Sequence, residues 1–274
     1  MIEEPYRWVE AIQNRREYIE HQLAAGSPIV GLSCADGALL LTVGRERQKI
    51  FEIYDRIALG GIGHPGDIER LRMSAIEVAS AEGYSRSSQD VSLRRMVSYS
   101  MSPALKSAFE QIYGPPYLAR LLFAELGRPG EPDLFVRLDY DGGFHTNGGP
   151  FARNMEPFAV VAGKTHAIEA MERFLRGQNF EASPLEDAKA VALDAWTVGH
   201  LALTHEFDDL PSPSEIAAHR REQLRNAAVE AALLDRHSRG PAVYRLLGAE
   251  PKPEEVPVEK SVSHREPLGL AEKG

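Results

Sequence analysis

Three sets of residues in this sequence are of types and spacings that could carry chemistry. Gly61-Ile62-Gly63-His64-Pro65-Gly66 matches the glycine pattern of a dinucleotide-binding turn, in which backbone N–H groups at a helix N-terminus receive a pyrophosphate. Asp139 and Asp141, followed by Gly142 and Gly143, have the alternating acids of a calcium loop. They lack the downstream bidentate acid and the further oxygen ligands that the ion requires, so a hairpin turn accounts for them. His200 and His205 do not share one helical face, and the remaining histidines are scattered, so no metal is expected. The sequence contains no G-x-S-x-G, no P-loop lysine motif and no Cys-His pair of recognised spacing.

The elements around the glycine motif decide what it can do. Ile29 to Ser33, Ala38 to Val43, Lys49 to Tyr54 and Ile57 to Ile62 are short apolar runs with brief connections. Such connections join antiparallel hairpin neighbours and cannot hold a crossover helix. A helix through Ile68, Leu71, Ala75 and Val78 ends at Gly83, and a second begins near Ser88 and Asp90 and carries Val97, Met101, Leu105, Ala108 and Ile112. A dinucleotide-binding unit returns from its helix directly into a parallel strand, so two helices in succession argue for a plain strand-to-helix turn. A nucleotide-binding enzyme using Gly61 to Gly66 is kept as an alternative.

Strands are predicted again at 117–126, 134–140 and 158–162, helices at 167–175 and 184–203, and a closing hairpin at 229–235 and 242–247. This order suits an α+β fold, a four-layer αββα sandwich in which each sheet covers the other on one face and helices on the second. Ahead of it, Pro5 to about Ala25 forms an amphipathic N-terminal helix with Trp8, Ile12, Ile19 and Leu23 near one face. Residues 204–223 are expected to be an exposed insertion. Residues 249–274, rich in Pro, Glu and Lys, are expected to be disordered. The organisation is thus 1–26 as terminal segment and helix, 27–248 as the sandwich, and 249–274 as tail.

The 274 residues carry a formal charge of -9, which disfavours nucleic acid, since phosphate neutralisation needs clustered Lys and Arg. No stretch approaches the length of a membrane span, the amino terminus lacks an apolar signal region, and a single cysteine, Cys34, suits a reducing compartment. Cytoplasm is the expected location.

Gly26-Ser27-Pro28-Ile29-Val30-Gly31-Leu32, Asp36-Gly37-Ala38-Leu39-Leu40, and Gln48-Lys49-Ile50-Phe51-Glu52-Ile53-Tyr54-Asp55-Arg56-Ile57-Ala58 resemble the first four strands of proteasome subunits. Phe158-Ala159-Val160-Val161-Ala162-Gly163-Lys164 is similar to that family's passage into its third helix. The resemblance spans about residues 1 to 247 and implies the N-terminal-nucleophile hydrolase fold, in agreement with the element order. The stretch from Tyr6-Arg7-Trp8-Val9 to Arg15-Arg16-Glu17-Tyr18 is similar to actinobacterial alpha-type subunits and departs from the archaeal and eukaryotic signatures.

Catalytic members of the family expose an N-terminal threonine tuned by an aspartate and a lysine. The resemblance puts Ser27 at the nucleophile position, Val43 at the aspartate position and Lys49 at the lysine position. Valine cannot orient a nucleophile or stabilise charge, and Pro28 constrains the backbone beside it. The expectation is therefore a non-catalytic alpha-type subunit with no cofactor. A self-processing peptidase using Ser27 and Lys49 is the alternative. By resemblance, the partners are other alpha subunits in a seven-membered ring, catalytic beta-type subunits and an AAA-type ATPase activator. Lys49 and Gly63 would receive the activator's tail. Met1, Ile2, Glu3, Glu4, Pro5 and Tyr6 would form the gate, and Trp8, Ile12, Ile19 and Leu23 would contact neighbouring subunits.

Overall fold

The computed structural model describes residues 5–45, 47–111, 113–148, 155–240 and 243–248. It opens with helix α1 (Pro5–Leu23), then four strands, β1 (Ile29–Cys34), β2 (Gly37–Gly44), β3 (Ile50–Tyr54) and β4 (Ile57–Gly63). Helix α2 (Pro65–Ser85) follows, and then an irregular helical stretch made of a 3-10 turn at Ser88–Asp90, α3 (Leu93–Met96), a π-turn at Val97–Met101 and α4 (Ser102–Glu110). Next come β5 (Ala119–Glu125), β6 (Leu134–Leu138), β7 (Phe144–Thr146) and β8 (Phe158–Val161). The chain then forms α5 (Thr165–Arg176), α6 (Leu185–Ala202), α7 (Pro213–Gln223), β9 (Ala228–Asp235) and β10 (Tyr244–Leu247).

The strands form two five-stranded sheets, β10-β9-β2-β1-β8 and β3-β4-β5-β6-β7. Every strand pairing within them is antiparallel. β4 lies between β3 and β5 and runs antiparallel to both. The glycine motif at its end therefore lacks the parallel return strand of a dinucleotide-binding unit, and the nucleotide reading falls on topology.

Alternation along each strand builds the layers, because successive side chains point to opposite faces. Ile29 of β1, with Ala38 and Leu40 of β2, meets Ile62, Leu122 and Phe135 of the second sheet. Val30, Leu32, Leu39 and Leu41 face the other way, onto Ala167, Met171, Ala192 and Trp196 of α5 and α6. Leu59, Leu121 and Phe123 likewise face Leu71, Ala75, Val97 and Leu105 of α2 and the irregular stretch. Strands buried on both faces read in sequence as unbroken apolar runs, and so they do here. The two-residue turn between β1 and β2 ends at Gly37, whose φ of 144° and close approach to the Leu234 carbonyl leave no room for a side chain.

Two expectations need correction. Residues 204–223 are not wholly an exposed insertion. Ser212 and Glu215 form a capping box that starts α7, Ile216 is buried, and Arg220 pairs with Asp194 on α6. The predicted second helix is not one continuous α-helix, because the π-turn interrupts it. The short edge strand β7 was not anticipated. Residues 249–274 and Met1 to Glu4 lie outside the described residues.

Candidate functional site

The end of β4, the start of β3 and the turn after α1 enclose a pocket of about 420 Å³, lined by Ser27, Lys49, Phe51, Ile62, Gly63 and Ile68 among others. The fold thus brings Ser27, Lys49 and Gly63, chosen from the sequence, to one place.

Lys49 enters this pocket from a fixed backbone. Its N–H donates to both oxygens of Glu230, at 2.9 and 3.0 Å, and the Ile50 N–H donates to Oε1 of the same carboxylate at 2.8 Å. Its carbonyl accepts from the Gly61 N–H at 3.0 Å. Glu230 belongs to β9 of the first sheet and Lys49 leads into β3 of the second, so this carboxylate ties the two sheets together at the pocket. The ammonium itself makes no ion pair among the described residues. Burial pushes its pKa down, and the nearby Glu230 charge opposes that shift.

Gly63 ends β4 at a φ of 118°. A Cβ there would lie 2.1 Å from the Leu118 carbonyl oxygen and 2.8 Å from Leu23 Cδ2. Only glycine suits a left-handed backbone pressed between β5 and the end of α1. The helix after it is set by His64, whose Nδ1 accepts from the Gly66 N–H, and by Pro65 in the first turn.

Ser27 is fully engaged by groups that cannot act as a base. Its Oγ donates to the Val43 carbonyl at 2.8 Å and accepts from Trp196 Nε1 at 3.1 Å. The peptide to Gly26 continues into α1, with the Gly26 N–H bonded to the Leu23 carbonyl. Behind Trp196 its ring stacks on His200 at 4.9 Å, and His200 Nδ1 lies 2.9 Å from Nε2 of His219 on α7. Burial, His219 and Lys49 together hold the His200 pKa down at about 4. The pair is therefore neutral near pH 7, one ring donating and the other accepting.

α1 is held by a different device. Arg120, its side chain almost fully buried, donates Nη2 to Glu20 at 2.6 Å and Nε to Asp139 at 2.9 Å. Its Nη1 reaches the carbonyls of Ala162 and Gly163. Tyr140 donates its hydroxyl to Glu20 at 2.7 Å and lies under the guanidinium. One cation thus joins α1, β5 and the chain following β6 and β8. Asp141 pairs with Arg16 of α1 at 3.2 Å, so both acids of the apparent calcium loop serve this anchorage. Among the described residues no group of three His, Cys, Asp or Glu is arranged to hold a metal.

The expected neighbour contacts divide. Trp8 is 48% exposed, joined by Val9 and Tyr18, and Ile12 is half-buried. Ile19 and Leu23 are 0% exposed, packed against Phe109 and Tyr140. They offer no surface to another chain, so their assignment as neighbour contacts is wrong. The apolar stripe of α1 serves this chain's own core at its C-terminal end. Of the proposed gate, Met1 to Glu4 lie outside the described residues and Pro5 begins α1.

Glu230, Trp196, His219 and Arg120 went unnoticed in the sequence. Their partners are distant in the chain, and several are main-chain groups that leave no trace in residue identity. Only Ser212-Pro213-Ser214-Glu215, a capping-box pattern, gave a local signal for the helix that carries His219.

Comparison with known proteins adds an independent line. The family model for the proteasome subunit matches residues 23–199. A protein named proteasome subunit alpha from Mycolicibacterium vanbaalenii is 28% identical over 270 residues, 97% of this chain and 94% of that one. Proteins of the same name from Paenarthrobacter aurescens and Mycobacterium leprae are 30% and 28% identical, over 84% and 88% of this chain and 85% and 82% of theirs.

Proposed function

The chain belongs to the proteasome subunit family, and on that premise we propose that it is a non-catalytic alpha-type subunit that gates and docks. In this reading it forms a seven-membered outer ring upon catalytic beta-type rings in the cytoplasm. The residues ahead of α1 close the pore, and the pocket at Lys49 receives the carboxylate tail of an ATPase activator.

One observation carries the docking claim. Lys49 presents a half-buried ammonium, on a backbone pinned by Glu230 and Gly61, with no ion pair among the described residues. A partly desolvated cation on a fixed mount suits a terminal carboxylate, because the entropy of ordering the backbone is already spent and the charge is screened less than in open water. The apolar neighbours Phe51, Ile62 and Ile68 can take the side chains that accompany such a carboxylate.

The absence of catalysis is supported by the Ser27 hydroxyl. It is committed to the Val43 carbonyl and to Trp196, and no basic side chain is bonded to it among the described residues. An N-terminal nucleophile takes its own freed amine as base, so Ser27 would act only after cleavage at Gly26-Ser27 and loss of α1. The anchorage of α1 through Arg120 also suits a helix that is kept.

The test uses the particle assembled with a beta-type partner. Activator-stimulated peptide hydrolysis should be lost in Lys49→Gln while basal hydrolysis and assembly persist. Stimulation equal to wild type would refute docking at Lys49. Removal of Met1 to Tyr6 should raise basal hydrolysis, and an unchanged rate would refute the gate.

A further inference from the structure

The joint between α6 and α7 turns two metal-binding nitrogens towards each other. His200 is in the last turn of α6 and His219 is on α7, and Nδ1 of the first lies 2.9 Å from Nε2 of the second. The ring centroids are 5.1 Å apart, which leaves little beyond the two ring radii, so the nitrogens meet nearly head to head. Both rings are half-buried and keep a path to water. His200 is backed by the indole of Trp196, whereas His219 has no hydrogen-bonded or aromatic partner except His200 among the described residues. The pair is neutral near pH 7, and neutral imidazole is the form that binds a metal.

A carboxylate stands beside the pair. Glu222 follows His219 by three positions, which puts it one turn further along the same face of α7. It is exposed, its charge acts on His219, and its side chain makes no hydrogen bond or ion pair among the described residues. Two cations are close. Arg220 is bonded to Asp194 of α6, and Lys49 acts on His200 and opposes further positive charge, which Glu222 offsets.

We propose that His200 Nδ1, His219 Nε2 and the Glu222 carboxylate form a site for a late transition-metal ion of the zinc type, with water as the remaining ligand. Two imidazoles and one carboxylate suit such an ion, whereas magnesium and calcium require oxygen ligands throughout. Two nitrogens on a tetrahedral zinc stand about 3.3 Å apart, so the present 2.9 Å needs to open by roughly half an ångström. The rings turn until their lone pairs converge beside the present hydrogen bond. Glu222 is not at bonding distance as it stands, and its exposed side chain swings in on its own torsions. Each ring keeps one proton. The hydrogen now between the rings moves to the far nitrogen of its own ring, leaving Nε2 of His200 and Nδ1 of His219 protonated. The ion then clasps α7 to α6, beside the Arg220–Asp194 pair and the buried Ile216. Neither imidazole lines the Lys49 pocket, so the site stands or falls apart from the docking reading.

Binding of Zn²⁺ is measured by isothermal titration calorimetry at pH 7 on the full chain without an affinity tag, and the melting temperature is read with and without the ion. The wild type should take one Zn²⁺ per chain and melt at a higher temperature with it, since an ion that binds only the folded state stabilises that state. Mg²⁺ should do neither. His219→Ala should weaken zinc binding by at least about tenfold and Glu222→Gln by a smaller factor, as expected for losing an imidazole in place and a carboxylate that must move. The zinc-induced rise in melting temperature should shrink in the same order. Circular dichroism of the metal-free variants checks that they are folded, and Glu222→Gln, which alters only an exposed side chain, serves where His219→Ala folds poorly.

No zinc binding by the wild type, or an equal response to Mg²⁺, would overturn the site. Zinc binding that is undiminished in both variants would overturn it as well and would mean that other histidines of the chain hold the ion. Binding weakened in His219→Ala and unchanged in Glu222→Gln would overturn the role of the carboxylate and leave the two imidazoles as the ligands.

Discussion

Arg120 and Lys49 are two cations at the same end of the molecule, near where α1 meets the sheets, with opposite fates. Arg120 is buried and bonded to two carboxylates and two carbonyls. Lys49 is half-buried with its main chain bonded and its ammonium in no ion pair among the described residues. A charge removed from water is tolerated when the protein supplies its partners, as it does for Arg120. A charge left without them has its partner elsewhere or faces solvent. The first holds a helix in place, and the second is, in the docking reading proposed above, left for another molecule to complete.

The largest expected effect breaks the comparison on its buried side. Arg120→Met leaves Glu20 and Asp139 facing each other without their cation and should cost about 3–5 kcal/mol of stability in urea unfolding. Lys49→Gln should change the same midpoint by no more than about 0.5 kcal/mol. Equal losses would mean that Lys49 is structural after all. Gly63→Ala comes next. Its backbone conformation and the clash with the Leu118 carbonyl should cost about 2–3 kcal/mol and distort the pocket wall, read as a lowered melting temperature together with weakened tail binding.

A smaller effect concerns pH. His200 is held at about 4, and His219 is also lowered by burial, against an ordinary value of roughly 6.5. The unfolded chain therefore binds more protons between those values, and stability falls as pH drops from about 6.5 towards 4. Above that window the contribution is complete. His200→Phe should flatten this part of the stability profile, and an unaltered slope would remove His200 as its source. A modest effect is expected of Trp196→Phe, which deletes one donor to Ser27 and should cost at least about 1 kcal/mol, without creating peptidase activity.

Local signals made most of this fold legible. The apolar runs of β1 to β4, the Asp36-Gly37 turn and the paired helices all follow from patterns within a few residues. Lys49 and Gly63 were legible as candidates by resemblance, and the fold brings them to one pocket. What failed was partnership. The stripe on α1 shows that Ile19 and Leu23 are buried but cannot show by what, and their own chain buries them. A polar stretch hid α7, because its stability comes from a capping box, Ile216 and contacts to α6 instead of a wide apolar face. Glu230 pins Lys49 across 181 positions through main-chain N–H groups, which every residue but proline possesses.

The central claim is that α1 is a permanent part of a subunit without catalysis of its own. Its most direct test is the intact mass of this chain, purified alone and with a beta-type partner, together with hydrolysis of a fluorogenic peptide by each preparation. The account predicts an untrimmed chain that still carries α1, inert alone and found in an active particle when the partner is present. A chain trimmed to begin at Ser27, with activity of its own, would contradict it.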